Sequence, residues 1–455
     1  MRENSPTVAS MLTNQRRLVG TASQSPCHYV GKSIRKFMHR PNQSNVVANQ
    51  HIFELVDGLS ERLYIYSALW NIKNIRLVSI KTAHYVFKNL HCVLYYPDDK
   101  DFKGVYVQAE VIERNPHEFS FSCAHINCPV KFKPQGNQSK ESIPLYVGLV
   151  ENVSHIPKQM FHVEDIMNEK DQSRQTVQEF TVCVPAMHQF GNAALLVQQI
   201  EMSRLFGAGR IVLYNHSISS NVDAVLRMYA REWAQGRETV EVVVLPWKLP
   251  SVNGSEIETQ YWAQDIAADH CLNRYKRLSK YIVFNDLDEY LVPLKHSNWS
   301  ALVANRLRLH PKSTSWMFRS SIFSMESPLA ADGYKEDYQR YRAPMLGLTM
   351  RENFTYWYED RSKLIVNAAA LELMAVHAIS KPKGDTDKLP VEVGLLFHYR
   401  LPIKCCPLVK DTRLVRMYGQ RLVARLKETW AKLPGVELGW LPSNKTRCET
   451  LLKAC

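Results

Sequence analysis

The chain has 455 residues, which suggests roughly two to four domains and enough length to bury a substantial core. A hydrophobic share of 45% beside 22% charged residues excludes wholesale disorder and collagen-like or low-complexity classes, and ten cysteines are too few for a disulfide scaffold. The formal net charge is +13, yet residues 1–50 hold seven Lys or Arg against the single acid Glu3, so the body is only mildly basic.

No zinc-finger spacing, RRM-like signature or Arg-rich recognition helix supports a nucleic-acid partner, and a mildly basic body suits an enzyme that holds anionic phosphates. Residues 1–50 are polar, basic and aperiodic, as in a flexible tail or stem. No stretch reaches the ~18 consecutive apolar residues of a membrane span, and the N-terminus lacks a signal-peptide core. Read literally, that is a cytosolic protein. Eight Asn-X-Ser/Thr sequons, at Asn42, Asn137, Asn152, Asn215, Asn253, Asn298, Asn353 and Asn444, are a mild excess that favours a secretory route instead. An N-terminal membrane anchor absent from this sequence is therefore expected.

Residues 51–175 read as a small β-rich domain. Short apolar runs at 75–80, 92–96, 104–112 and 145–150 are punctuated by turn clusters such as Pro97-Asp98-Asp99. Cys123 and Cys128 are close enough in sequence for a local bridge, or are two reduced buried thiols. From residue 176 the rhythm changes. An apolar run at 180–184 precedes helical periodicity over 193–206 that ends at Gly207. Strand 211–214, helix 222–234, strand 240–245, helix 256–277 and strand 281–284 follow. Strands alternating with helices imply βαβ units and a parallel sheet, with ligands beyond the carboxyl ends of the strands. Residues 408–430 place apolar and Arg positions at the spacing of a basic amphipathic helix, so 406–455 reads as a helical extension.

Asp286-Leu287-Asp288 follows the apolar run Tyr281-Ile282-Val283-Phe284-Asn285. In an extended chain residues two apart point the same way, so both carboxylates can face one site while Leu287 turns into the core. Paired carboxylates suit Mn²⁺ or Mg²⁺ bound together with substrate phosphates. The same pair could equally serve as helix-capping acids.

Around these residues the sequence resembles glycosyltransferase family 92. The matching segments include Phe180–Pro185, Ile200–Ala208, Tyr214–Ser217, Pro246-Trp247, Cys271-Leu272, Tyr281–Tyr290, Lys363–Val366, Ala375–His377 and His398–Arg400, in family order over about 180–402. The resemblance implies a GT-A-type, Rossmann-like mixed sheet flanked by helices over residues 176–405. It also implies a metal-dependent enzyme that moves galactose from UDP-galactose, with inversion, onto a glycan or glycoprotein hydroxyl. A type II membrane location in the Golgi lumen is implied as well. Carried onto this sequence, Asp286 and Asp288 bind metal and diphosphate, and His377 or His398 completes the metal shell. Arg400 pairs with phosphate or with an acid. Val184, Pro185, Tyr214, Asn215 and His216 lie where uridine and ribose would lodge. The catalytic base is sought among Glu326, Asp332, Glu352 and Asp360, with Glu326 placed first because it follows the apolar run 322–325. The sequence departs from the family at Asp269-His270, where an Asn-Asp pair is usual, which keeps open a non-catalytic glycan-binding reading. Another metal-dependent nucleotide-diphosphate enzyme is a further alternative, although no Gly-rich phosphate loop with a lysine is present. Phe354–Tyr358 closes the core or stacks on an acceptor sugar, the first being the expectation.

Overall fold

Runs of β-branched and aromatic residues between 63 and 164 form strands whose central members are buried at nearly every position, as in Leu63–Trp70 and Asn74–Thr82. The structure, a computed structural model, describes residues 46–47, 51–97, 103–114, 119–130, 142–165, 177–325, 333–374, 377, 384–400 and 407–439. Contacts divide the chain into two units, Met1–Ile112 with His125–Glu164, and Glu113–Ala124 with Asp165–Cys455. The N-terminal strands form a sheet in the order 105–108, 91–95, 146–150, 160–164, 63–70, 74–82, 121–129, 110–114, as the β-rich reading expects. Val46–Val47, inside the segment expected to be a tail, pairs with this sheet.

The local Cys123–Cys128 bridge does not form. Both residues lie on the strand Phe121–Pro129, where five positions span about 16 Å and odd spacing sends the side chains to opposite faces. Cys128 instead bonds Cys92 across the sheet, and Cys123 is a buried free thiol.

The second unit follows the expected alternation. Strand β1 (Gln178–Met187) leads to helix α1 (Ala193–Phe206), whose N-terminus is capped by Asn192 Oδ1 accepting from Leu195 N. Gly207 closes α1 at φ 111°, a left-handed C-cap that favours glycine. Strand β2 (Arg210–Asn215), helix α2 (Ser220–Ala234), strand β3 (Glu241–Pro246), helix α3 (Gln264–Tyr275) and strand β4 (Ser279–Phe284) follow. The four strands pair in parallel in the order β3-β2-β1-β4. Strand β5 (Glu289–Pro293), helix α4 (Trp299–Leu309), strands β6 (Ser313–Phe318), β7 (Ser320–Ser324), β8 (Lys363–Asn367), β9 (Asp385–Lys388) and β10 (Gly394–Arg400), and helix α5 (Arg413–Ala431) complete the unit. Strand β8, antiparallel to β4, then β6, antiparallel to β8, and β9, parallel to β6, extend the sheet beyond β4, giving the mixed α/β architecture expected. A second sheet joins β5, β10, β7, Met350–Glu352 and Leu408–Lys410.

One helix is shorter than its periodicity suggests. Residues 256–277 read as one helix, but α3 starts at Gln264 because Tyr261, Trp262 and Ala263 all hold left-handed φ values of 46°, 52° and 60°. Each such non-glycine conformation costs about 1–3 kcal/mol and persists only where surroundings fix it. Here Trp247 Nε1 donates to Trp262 O at 2.9 Å. Cys183 on β1 is disulfide-bonded to Cys271 on α3, which fixes that helix against the sheet.

Helix α5 packs on α1 through a buried acid. Glu201, fully buried, accepts from Arg425 Nε at 2.8 Å, Thr429 Oγ1 at 2.8 Å and Tyr229 OH at 2.6 Å. A buried carboxylate so fully paired specifies the docking of α5, which apolar contacts such as Phe206 against Tyr418 reinforce. Among the described residues no helix is long and apolar enough to cross a membrane.

Candidate active site

The carboxyl ends of β1, β2 and β4 in the second unit border a cleft, where doubly wound sheets bind ligands. Val184 and Pro185 at the end of β1, Tyr214 on β2, Gln264 on α3, Asp286 after β4 and Lys363 on β8 line it. Four of the donor-site residues expected from sequence, Val184, Pro185, Tyr214 and Asp286, thus meet at one opening. Asn215 and His216 stand at the end of β2 beside this wall, and His216 is engaged elsewhere, with Glu256 and His188.

Asp286-Leu287-Asp288 is a turn between β4 and β5, closed by Glu289 N donating to Asp286 O at 3.2 Å. Extended-chain alternation therefore does not govern it, which corrects the expectation that both carboxylates point the same way. Leu287 is half-buried instead of turning into the core. Asp286 is held toward the cleft: Oδ2 accepts from Lys363 Nζ at 3.1 Å and Oδ1 from Gln264 Nε2 at 3.2 Å. Asp288 faces the second sheet, its Oδ2 lying 3.4 Å from His398 Nε2, while His398 Nδ1 stands 3.5 Å from Glu289 Oε1.

Lys363 is the residue that the sequence did not single out. Its side chain is 3% exposed, and its ammonium lies 3.1 Å from Asp286 and 3.2 Å from Glu289. Burial alone would lower its pKa, but the two carboxylates raise it above the ordinary lysine value and keep it charged. Burial dominates at Glu289 and raises its carboxyl despite Lys363 nearby. For Asp288, burial works upward, but His398 and Arg400 outweigh it and hold the carboxyl below the usual aspartate value. Burial opposes protonation of His398, and Asp288 and Glu289 overcome it, raising its pKa. His377 is the opposite case: burial and then Lys363 lower it to about 4, and its Nδ1 lies 3.2 Å from Ser362 O.

The expected metal residues therefore separate into a pair and two neighbours. Asp288 and His398 face each other, a carboxylate and an imidazole that can both ligate a divalent ion, and among the described residues His398 Nδ1 is buried with no hydrogen-bond partner. Asp286 spends its carboxylate on Lys363 and Gln264. His377 is close enough to Asp286 to feel its charge. Arg400 acts on Asp288 and Glu352, an acid-facing placement.

Of the four acids considered for the base, Glu326 and Asp332 lie outside the described residues. Asp360 is exposed. Glu352 is fully buried, with burial raising its pKa against the Tyr356 hydroxyl, Arg361, Arg400 and His398. His270, the departure from the family pattern, is buried behind the cleft wall, its Nδ1 2.6 Å from Tyr214 OH. Asp269 accepts from Met374 N at 2.7 Å, so both residues hold structure around the cleft. The aromatic segment corrects its expectation. Trp357 is 75% exposed, with the Arg319 guanidinium 4.9 Å from its ring centroid, so it does not close the core.

These features define a mixed α/β domain with acids at the carboxyl edge of its parallel strands. The chain belongs to glycosyltransferase family 92, whose profile matches residues 178–433. That span takes in helix α5 as well as the sheet. Two relatives from Caenorhabditis elegans align with parts of this chain. One, named glycosyltransferase family 92 protein F13G3.3, is 24% identical over 40% of this chain and 38% of its own length. The other, named beta-1,4-galactosyltransferase galt-1, is 28% identical over 26% of each chain. The chain thus spans well under half the length of these relatives. Among solved structures, GalNAc-T7 with UDP, GalNAc and Mn²⁺ aligns over 63% of this chain and 54% of its own, at 11% identity and a TM-score of 0.27. The galactosyltransferase LgtC aligns over 57% and 98%, at 11% identity and a TM-score of 0.23.

Proposed function

We propose that this chain is a metal-dependent glycosyltransferase that moves a hexose, galactose from UDP-galactose, with inversion onto a glycan hydroxyl. The observation that carries the reading is the cleft at the carboxyl ends of β1, β2 and β4, with Asp286 on its wall and the Asp288–His398 pair at the following turn. The relative named as a beta-1,4-galactosyltransferase supports the choice of galactose and of the β-1,4 linkage.

In this reading Val184, Pro185 and Tyr214 receive the nucleoside. Asp288 and His398 hold Mn²⁺ or Mg²⁺, with Asp286 and His377 beside them, and Arg400 adds positive charge. A bound divalent ion supplies Lewis-acid neutralisation of the UDP leaving group. Lys363 holds the Asp286 and Glu289 carboxylates in place, a positioning role. Glu352 is the acid we propose as base: it is the buried one among the described candidates, it interacts electrostatically with His398 and Arg400 beside the metal pair, and burial raises its pKa above the ordinary carboxyl value. It takes the proton of the acceptor hydroxyl as that oxygen attacks the anomeric carbon and the bond to UDP breaks. Trp357 and Phe354, exposed on the loop after Glu352, offer an apolar face to the acceptor sugar.

Two disulfides among the described residues and the sequons support passage through the oxidising secretory route, in which we place the enzyme in the Golgi lumen. The test is a screen of UDP-sugars with and without Mn²⁺, read by released UDP. UDP-galactose should turn over with Mn²⁺, and Glu352→Gln should lose transfer while retaining donor binding. No turnover with any sugar would overturn the enzymatic reading in favour of a glycan-binding protein.

A further inference from the structure

A second cluster of ligating side chains stands apart from the Asp288–His398 pair. His188 directly follows β1, His216 directly follows β2, and Glu256 ends the hairpin formed by Ser251–Val252 and Ser255–Glu256. One ligand atom from each residue lies within 4.8 Å of the other two. His188 Nδ1 and His216 Nδ1 are 3.2 Å apart, and His216 Nε2 is 2.9 and 2.8 Å from the two carboxylate oxygens of Glu256.

We propose that His188, His216 and Glu256 form a binding site for a borderline transition-metal dication, Zn²⁺ foremost. Two imidazoles and one carboxylate are the donor set that suits Zn²⁺, whereas sites built mainly from carboxylate, carbonyl and water suit Mn²⁺ or Mg²⁺. With metal–ligand bonds of about 2.0–2.2 Å, ligand atoms of a tetrahedral site stand about 3.3 Å apart. The two Nδ1 atoms already have that separation. Glu256 now contacts Nε2, on the other side of the His216 ring, and would join the same centre by rotation of a side chain that is 32% exposed on a hairpin. Three protein ligands leave one position for water.

The surroundings hold the first ligand still. The His188 ring stacks on Trp262 with centroids 4.1 Å apart and planes 19° apart, and Trp262 belongs to the left-handed run that precedes Gln264. An ion here would tie the ends of β1 and β2 to the hairpin and brace the turn that carries Gln264 to Asp286. The site thus lies outside the cleft lining but next to the segment that shapes it.

The experiment uses the untagged full chain, stripped with chelator and then equilibrated with Zn²⁺ alone, with bound metal counted by mass spectrometry. The wild type should retain one equivalent that both His216→Ala and Glu256→Gln lose and that Asp288→Asn keeps. Glu256→Gln, on a partly exposed hairpin, remains informative if His216→Ala does not fold. Ni²⁺, which quenches nearby indoles, should remove a component of tryptophan emission in the wild type that is missing from Trp262→Phe. Retention of Zn²⁺ by folded Glu256→Gln, its loss in Asp288→Asn, or no retained Zn²⁺ in the wild type would each overturn the proposal.

Discussion

Replacing Lys363, whose side chain is 3% exposed, with methionine removes an ammonium placed between two carboxylates, at 3.1 Å from Asp286 and 3.2 Å from Glu289. Asp286 retains Gln264 and a partly solvated carboxylate, but Glu289 is 2% exposed and loses its nearer cation, keeping only His398 at 3.5 Å among the described residues. Removing one member of a buried ion pair costs about 3–5 kcal/mol, because the remaining charge stays desolvated. That corresponds to a loss of about 150- to 5,000-fold in the folding equilibrium constant. The double variant Lys363→Met/Glu289→Gln removes the stranded charge while keeping an oxygen that can accept from Asp286 N, the contact now 2.9 Å long. It should recover about half of the loss, a coupling near 2 kcal/mol. Urea unfolding of the three proteins at one pH measures both quantities. A single variant within about 1 kcal/mol of wild type, or a double variant no more stable than the single, would refute this account of Lys363.

Three further outcomes follow from particular residues. Trp357→Ala should leave stability within about 0.5 kcal/mol, since the ring is 75% exposed, while raising KM for a glycan acceptor far more than for UDP-galactose; kinetics with both substrates varied decides it. In protein made through a secretory route, glycopeptide mass spectrometry should find Asn298 unmodified, because its side chain caps α4 by accepting from Ala301 N, its neighbour Trp299 is buried, and Ser300 is bonded to Glu179. Asp411→Asn should destabilise the chain by about 1–3 kcal/mol at pH 7, since Asp411 is bonded to Arg351 and Arg413. Burial raises the Asp411 carboxyl, and the two arginines lower it by more, so its contribution is present above the unfolded value of about 3.9 and disappears as pH falls through the lowered one. Wild type and variant should therefore converge in stability below pH 4.

The sequence made the alternation of the second unit legible wherever local signals agree with the fold. Asn192 and Gly207 bracket α1, and short β-branched runs form β2, β3 and β4. It failed where tertiary packing decides. The helix expected over 256–277 is interrupted by a left-handed run that no residue in Tyr261-Trp262-Ala263 announces. Cysteine pairing was hidden because Cys92 and Cys128, and Cys183 and Cys271, are brought together by strand order and not by proximity in sequence. Residues at the cleft were found by strand-end logic, which is why Val184, Pro185, Tyr214 and Asp286 meet there. Lys363 stood in a recognised segment, yet only burial between two acids gives it a role. Glu352 could be singled out only by its burial and its neighbours, since from sequence it was one of four acids.

The central claim is that Asp288 and His398 hold the ion on which donor cleavage depends. Its most direct test is release of UDP from UDP-galactose by wild type, Asp288→Ala and His398→Ala, each with Mn²⁺ and with chelator. Cleavage in the wild type only when Mn²⁺ is present, with a loss of at least about a hundredfold in both folded variants, is the result expected. Equal rates with chelator, or a folded Asp288→Ala protein as fast as wild type, would contradict it.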